Sequence, residues 1–420
     1  MNTPLSRSDI MRLKCACYST NISMSVVGNL SPVLFLTFRE LYGISFSLLG
    51  LLVLINFVTQ LIVDLAFSFF SHRFNIPKAV KMTPFLTVLG MLVYALWPFV
   101  FPNHVYAGLV VGTVIFSASG GFCEVLISPV IAAIPSDDPD REMSKLHSIY
   151  AWGVVFVIII STLFLLAFGG ENWQWLALLF TLVPITASIF FSGAKIPHME
   201  TPEKISGVVN ALKDKTLWLC VFSIFLGGAS ECTMAQWSSG YLEQALGIPK
   251  VWGDIFGVAL FALTLGLGRT LYAKMGKNIG KVLFAGAVGA TVCYLLAAVS
   301  SIPLIGLIAC AFTGFCTSMM WPGNLIAASE FFPSAGVFLY AMMAAGGDLG
   351  ASVGPQLIGV IADAVIADPA MAGFAQSIDL LPEQLGMKIG MLVGMIFPLI
   401  AVFVFYRIKR NIEKLTEMNK

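Results

Sequence analysis

Charge is scarce in this chain of 420 residues: Asp, Glu, Lys and Arg together make up 11% of it, where a soluble domain carries about 25%. So few charges cannot cover the surfaces of the two or three soluble domains that the length would otherwise suggest. Intrinsic disorder is excluded from the other direction, because disorder needs low hydrophobicity and 58% of the residues are hydrophobic. Metal-ligand and redox cysteine spacings are missing too. The eight cysteines, Cys15, Cys17, Cys123, Cys220, Cys232, Cys293, Cys310 and Cys316, lie mostly in apolar runs. With no CxxC and no Cys/His cluster among them, they read as small apolar filler. No metal site and no cofactor is expected. No run alternates with period two, which excludes a transmembrane barrel. Met1 to Lys14 is polar and lacks a small-residue cleavage site behind an apolar core, so it does not read as a removable signal peptide. The near balance of 24 Lys and Arg against 23 Asp and Glu gives no basis for a nucleic-acid partner.

What is present is a series of long apolar runs. A helix needs about 20 apolar residues to cross the hydrocarbon of a bilayer. Read between charge clusters and Gly/Pro breaks, the first half offers 13–38, 44–71, 82–101, 105–134, 147–168 and 174–193. The second half offers 216–245, 254–273, 282–300, 302–330, 336–365 and 386–406. The fold class expected is therefore all-α integral membrane, with 12 transmembrane helices. Twelve spans put both termini on one side, and basic residues identify it as the cytoplasmic one. Of the 24 Lys and Arg, twenty fall on the inner segments of that arrangement, whereas Arg39, Lys250 and Lys388 fall outside and Arg269 lies within a span.

The chain also repeats itself. Gly121-Phe122-Cys123, five residues, then Pro129 in span four recurs as Gly314-Phe315-Cys316, five residues, then Pro322 in span ten. Ser144, five residues, then Tyr150-Ala151 recurs as Ser334, five residues, then Tyr340-Ala341. Both matches join corresponding spans of the two halves. The expected organisation is an N-terminal six-helix bundle over 1–193, a cytoplasmic linker over 194–215 and a C-terminal six-helix bundle over 216–420. Parallel six-helix repeats of this kind are the architecture of the major facilitator superfamily, whose binding site lies near mid-membrane.

The rare charges inside the spans are the informative ones. Asp64, Glu124, Glu231 and Asp348 all lie within spans, no Lys is placed to pair with them, and Arg269 sits near the inner end of span eight. Ionised and unpaired, four such acids would cost on the order of 10 kcal/mol. A carboxyl withdrawn from water holds a proton readily, which is what a proton-coupled carrier requires. Polar stripes at helical spacing accompany them: Asn21, Ser25 and Asn29 in span one; Asn56, Gln60 and Asp64 in span two; Glu124 and Ser128, one turn beyond Gly121, in span four; and Asp348, Ser352, Pro355 and Gly359 in span eleven. Glu231 follows Gly227 and Gly228 in span seven, with Ser238 two turns beyond. Such stripes serve either helix–helix hydrogen bonding, worth about 1 kcal/mol each, or the lining of a site. Trp237 lies off the Glu231 face, and Trp321, one turn from Thr317, is a candidate to stack on a ring.

Enzymatic readings have no footing. The loop Asp137-Asp138-Pro139-Asp140 reads as a solvated turn, and the glycine-rich stretches lie inside apolar spans rather than between a strand and a helix, so they are not phosphate-binding loops.

Gly121-Phe122-Cys123-Glu124 followed by Ser128-Pro129 resembles the span-four signature of fucose permease-type sugar transporters within the major facilitator superfamily. Gly227-Gly228-Ala229-Ser230-Glu231 resembles their span seven, and His147 with Tyr150-Ala151-Trp152-Gly153 the start of their span five. Trp321-Pro322 resembles their span ten, and Gly346-Gly347 through Pro355, Gly359 and Ala362-Asp363 their span eleven. Ser128 stands where that group carries Asn, and span one lacks the acid that group places there. The inner loop His72-Arg73-Phe74-Asn75-Ile76-Pro77-Lys78 is a reduced form of the superfamily's gating loop.

The resemblance implies uptake of a neutral sugar or similar small polar solute together with a proton, by alternating access. It implies Glu124 as the leading proton site, with Glu231, Asp348 and Asp64 as further coupling candidates. The candidate substrate contacts are Asn21, Asn29, Asn56, Gln60, Ser128, His147, Tyr150, Gln236, Trp237, Thr317, Trp321 and Asn324. The partners expected are a small-molecule substrate, H+ with Na+ as the alternative, and the lipid bilayer. The chain is expected to act as a monomer in a bacterial cytoplasmic (inner) membrane with both termini cytoplasmic. Two alternatives stand beside it: proton-driven efflux of a lipophilic drug, suited to 18 Met residues in adaptable apolar pockets, and sodium-coupled sugar symport.

Overall fold

A computed structural model describes residues 6–70, 74–135, 139–197, 213–275, 278–332 and 336–418. Among them all regular structure is helical. In chain order the helices are α1 (Arg7–Val33), α2 (Phe35–Tyr42), α3 (Phe46–Phe70), α4 (Ile76–Val100), α5 (Val105–Ala132), α6 (Pro139–Phe168), α7 (Trp173–Phe180) and α8 (Leu182–Ser192). They continue as α9 (Lys215–Leu246), α10 (Lys250–Trp252), α11 (Leu260–Met275), α12 (Ile279–Val299), α13 (Pro303–Thr317) and α14 (Pro322–Phe331). The last four are α15 (Gly336–Ala367), α16 (Pro369–Ser377), α17 (Pro382–Gly394) and α18 (Ile396–Met418). A π-helical turn, Gly253–Ala259, joins α10 to α11.

Among the described residues, ten helical stretches are long and apolar enough to cross a membrane, some of them joining two of these helices; α1 and α2, bent by 45°, make an eleventh if the pair is counted as one span, and the apolar part of α6, Trp152–Phe168, is shorter. The protein is thus a multi-pass, all-α integral membrane protein. Its spans are less continuous than the apolar runs predict, and proline explains most of the interruptions. Proline removes the N–H that would bond four residues back, and its ring crowds that carbonyl. Pro184 accounts for the break at Thr181 between α7 and α8, Pro322 for the break over 318–321 between α13 and α14, and Pro398 for the break at Met395 between α17 and α18. Pro32 lies at the bend between α1 and α2. Span one begins earlier than predicted, because Ser6 and Asp9 form a capping box that satisfies the first free N–H groups of α1. The surface helix α16 is an addition to the predicted elements, started by Asp368, whose side chain accepts from Ala370 N–H.

The chain forms two compact units. One comprises Met1–Thr37 and Val58–Ser206, the other Phe38–Phe57 and Gly207–Lys420, so α3 is divided between Phe57 and Val58. In the first unit α1 packs on α6 and α8, and α4 on α5. Its core joins Leu13 and Cys17 of α1, Leu126 and Val130 of α5, Leu146 of α6 and Phe191 of α8. In the second unit α9 packs on α15, and α12 on α13 and α18. Its core joins Leu226 and Ala229 of α9, Leu283 and Ala287 of α12, and Phe405 of α18. Cys17, Cys123, Cys220, Cys293 and Cys310 are buried free thiols, in keeping with their reading as apolar filler.

Candidate functional site

The acids predicted inside the spans fall in different surroundings in the two units. In the first, α3 and α5 approach closely at Gly120 and Gly121. A Cβ on Gly120 would lie 3.0 Å from Gln60 Cδ, and one on Gly121 would lie 2.8 Å from Val63 Cβ. Small residues are what permit backbones in a membrane to meet at this distance. One turn further along each helix, Asp64 and Glu124 face one another. Their carboxylate oxygens lie within 4.8 Å of one another. Carboxylates accept and do not donate, so a bond between two carboxyls needs a proton on one of them. Asp64 is 4% exposed, whereas Glu124 is exposed. Gln60, one turn before Asp64 on α3, is buried beside Gly120.

The polar stripe of α1 is spent differently. Asn21 Nδ2 donates to the Leu146 carbonyl of α6 at 2.6 Å, and its Oδ1 accepts from the Cys123 thiol at 3.9 Å. Ser25 donates to the Tyr150 carbonyl at 2.9 Å, and Asn29 donates to the Ser25 carbonyl at 2.9 Å. Asn21 and Ser25 thus hold α1 against α6, while Asn29 bonds within α1. Tyr150 is half-buried. The side chains of Ser128, Pro129, Asp140, Ser144, His147, Tyr340 and Ala341, together with residues 72–73, 137–138, 198–212 and Ser334, lie outside the described residues.

In the second unit the expectation of an unpaired Glu231 is corrected. Arg269 Nη2 lies 3.2 Å from Glu231 Oε1 and 3.5 Å from Oε2. Arg269 Nε donates to the Ser318 carbonyl at 3.1 Å. That carbonyl opens the break over 318–321, where Pro322 denies it a helical partner. Gly268 stands beside Ser318 Oγ, so a side chain at that position would push α11 away. The sequence reading placed Arg269 near the inner end of its span. What it could not supply was the reach of a long side chain back toward the middle of α9.

The remaining candidates in this unit are largely committed to packing. Trp237 is 1% exposed. Its Nε1 donates to the Pro355 carbonyl at 2.9 Å, and its ring meets Phe46 edge-on at 5.8 Å. Thr317 is fully buried and donates to the Thr313 carbonyl at 2.9 Å. Asn324 accepts from Ser223 Oγ at 2.7 Å. Trp321 is half-buried beside Gly347 and Gly228, and Gln236 is half-buried. Asn56 and Asp348 are buried, at 7% and 2% exposure.

Two further acids, Asp254 and Asp363, are not among the predicted site residues. Asp254, at the π-turn, is fully buried; it accepts from Ser239 and pairs with Lys250 at 2.8 Å. The four-residue spacing of Lys250 and Asp254 was the available signal. Asp363 of α15 caps the first turn of α3, accepting from Phe46 N–H at 3.1 Å and from Ser47 N–H at 2.6 Å. An anion there is favoured by the free N–H groups of a helix start.

Comparisons with known proteins agree with this architecture. The sequence pattern of the Major Facilitator Superfamily matches residues 16–355. No curated protein matches the chain. Among solved structures, a bacterial homolog to the human lysosomal transporter Spinster, inward-facing and occupied, is similar at a TM-score of 0.68 and 13% identity, with 98% of each chain covered. The nucleoside transporter NupG is similar at a TM-score of 0.70 and 10% identity over 95% of this chain and 99% of that one. The E. coli fucose:proton symporter FucP is similar at a TM-score of 0.57 and 14% identity over 94% and 99%. At these identities the likeness carries the fold alone.

Proposed function

This chain belongs to the major facilitator superfamily and is a transporter rather than an enzyme, and from that premise we propose that it is a secondary active carrier taking up a neutral sugar, or a similar small polar solute, together with a proton. The observation that carries this reading is the Asp64–Glu124 carboxyl pair. Two carboxyls this close, one of them buried, hold one proton between them, because both cannot ionise cheaply at that separation. Such a pair can take up a proton from one side of a membrane and give it up on the other. Glu124, exposed while Asp64 is buried, is the member that exchanges the proton; Asp64 holds it in place. A lipid-facing carboxyl is costly, so the exposure of Glu124 favours an aqueous path over contact with lipid.

The same reading places the carrier in a cytoplasmic membrane with both termini inside, supported by the twenty basic residues on the segments that share the side of the termini. It also takes the residues near 194–215 as the link between two six-helix halves.

Reconstitution into liposomes with an imposed pH gradient tests the proposal. Glu124→Gln removes the exchangeable proton, so pH-driven accumulation disappears while substrate exchange at equal pH continues. Accumulation at the wild-type level would remove Glu124 as the coupling acid. Uptake that follows a sodium gradient with no pH gradient would replace the proton as the coupling ion.

A further inference from the structure

The Glu231–Arg269 pair is built unlike an ion pair whose purpose is stability. A closed guanidinium–carboxylate pair is bidentate, with two parallel N–H···O bonds that use both partners. Here a single nitrogen, Nη2, faces both carboxylate oxygens, at 3.2 and 3.5 Å. Nε is occupied by the Ser318 carbonyl. Among the described residues, Nη1 has no hydrogen-bond partner, and Glu231 has none besides Arg269. The Arg269 side chain is 41% exposed and that of Glu231 14%.

The position is also unexpected for a structural pair. Arg269 is six residues from the end of α11 at Met275, close enough for a long side chain to reach the aqueous boundary and keep its charge in water. It turns instead toward Glu231, at the midpoint of the 32-residue α9, and toward the interrupted backbone of α13 and α14. Exposed charge at that depth requires water or a polar ligand beside it.

We infer that Arg269 and Glu231 together form a ligand-binding subsite for an uncharged polyhydroxylated molecule, Arg269 Nη1 donating to one ligand hydroxyl and the Glu231 carboxylate accepting from the adjacent one. The sum of the two charges is zero, so the subsite favours neither an anion nor a cation. It presents a donor edge next to an acceptor edge, and a pair of neighbouring hydroxyls is complementary to both, because each hydroxyl can donate and accept. Glu231 in this arrangement is the counter-ion and acceptor of the subsite, while the travelling proton stays on the Asp64–Glu124 pair. The inference rests on the reading of the chain as a carrier of a neutral sugar.

Titration calorimetry on the purified full-length protein in nanodiscs tests it, with a panel of D-glucose, D-galactose, D-xylose, D-fucose, myo-inositol and D-glucuronate, followed by the single-deoxy analogues of the tightest neutral binder. Arg269→Lys keeps the charge and loses the planar fork. The double variant Arg269→Gln with Glu231→Gln keeps the net charge and leaves no lone charge behind, which preserves folding. Each is expected to weaken the tightest neutral binder by about tenfold or more, as the loss of one charge-assisted hydrogen bond predicts. One deoxy analogue should lose about tenfold on the wild type and under about threefold on the double variant, because the hydroxyl and its partner are then already missing. Binding by both variants within about threefold of wild type, or deoxy losses that simply add, overturns the subsite. No neutral ligand binding to the wild type, or D-glucuronate binding more tightly than every neutral sugar, overturns the sugar reading itself, and the subsite with it.

Discussion

The two units each keep acids inside the membrane, and they handle them in opposite ways. In the first, Asp64 and Glu124 stand close together across α3 and α5, acid beside acid. In the second, Glu231 answers Arg269 across α9 and α11, acid against base. An acid–acid pair is stable only while it holds a proton, so its charge changes as the proton comes and goes. An acid–base pair is neutral as it stands and gains nothing from a proton. On the proposed reading, similar helix scaffolds carry a titrating site in one unit and a charge-compensated one in the other, where Arg269 faces Glu231.

The most direct way to break this contrast is to disable the titrating pair. Asp64→Asn should reduce pH-driven accumulation to background in proteoliposomes, as Glu124→Gln should, whereas Glu231→Gln should weaken ligand binding and leave the accumulation ratio responsive to the pH gradient. Equal loss of coupling in all three variants would erase the difference between the units. A second test concerns stability. Arg269→Met leaves a lone carboxylate, and should destabilise the protein by about 2 kcal/mol, less than the 3–5 kcal/mol of a fully buried pair because Arg269 is partly exposed. Combining Arg269→Gln with Glu231→Gln should recover most of that loss in a thermal-unfolding assay.

Asp363→Asn comes next. It removes the charge from the cap on α3 and should cost about 1 kcal/mol, read as faster hydrogen exchange at Phe46 and Ser47. The smallest effects belong to the packing stripe. Asn21→Ala should cost about 1 kcal/mol through loss of its bond to α6 and leave coupling untouched. Asn29→Ala, whose amide bonds only within its own helix, should stay within about 0.5 kcal/mol of wild type.

The helical membrane fold was legible because hydrocarbon imposes length and apolarity directly on sequence. Proline-induced breaks were less so. Pro184, Pro322 and Pro398 are visible in the chain, but apolar runs pass through them, and hydropathy does not register a missing N–H. Pairings across helices were not legible at all. Glu231 and Arg269 are 38 positions apart, and the direction of an arginine side chain depends on which carbonyl or carboxylate lies within its reach. The α1 stripe shows the converse: its four-residue spacing is equally good for lining a site and for gripping a neighbour, and only the carbonyls of Leu146 and Tyr150 reveal that Asn21 and Ser25 grip. Asp254 was hidden by standing at the edge of a span, where an acid ordinarily signals solvent, although it is fully buried.

The division of α3 has a mechanical side. Its first turn is held by Asp363, and Asp64 lies 18 residues further along the same unbroken helix, a distance of about 27 Å at 1.5 Å per residue. A helix of this length behaves as a stiff rod. A tilt of about 5° pivoting at the capped end displaces the far end by about 2 Å, enough to separate a hydrogen-bonded pair. On the proposed reading, the angle of this rod, as much as local chemistry, bears on whether Asp64 and Glu124 can share a proton.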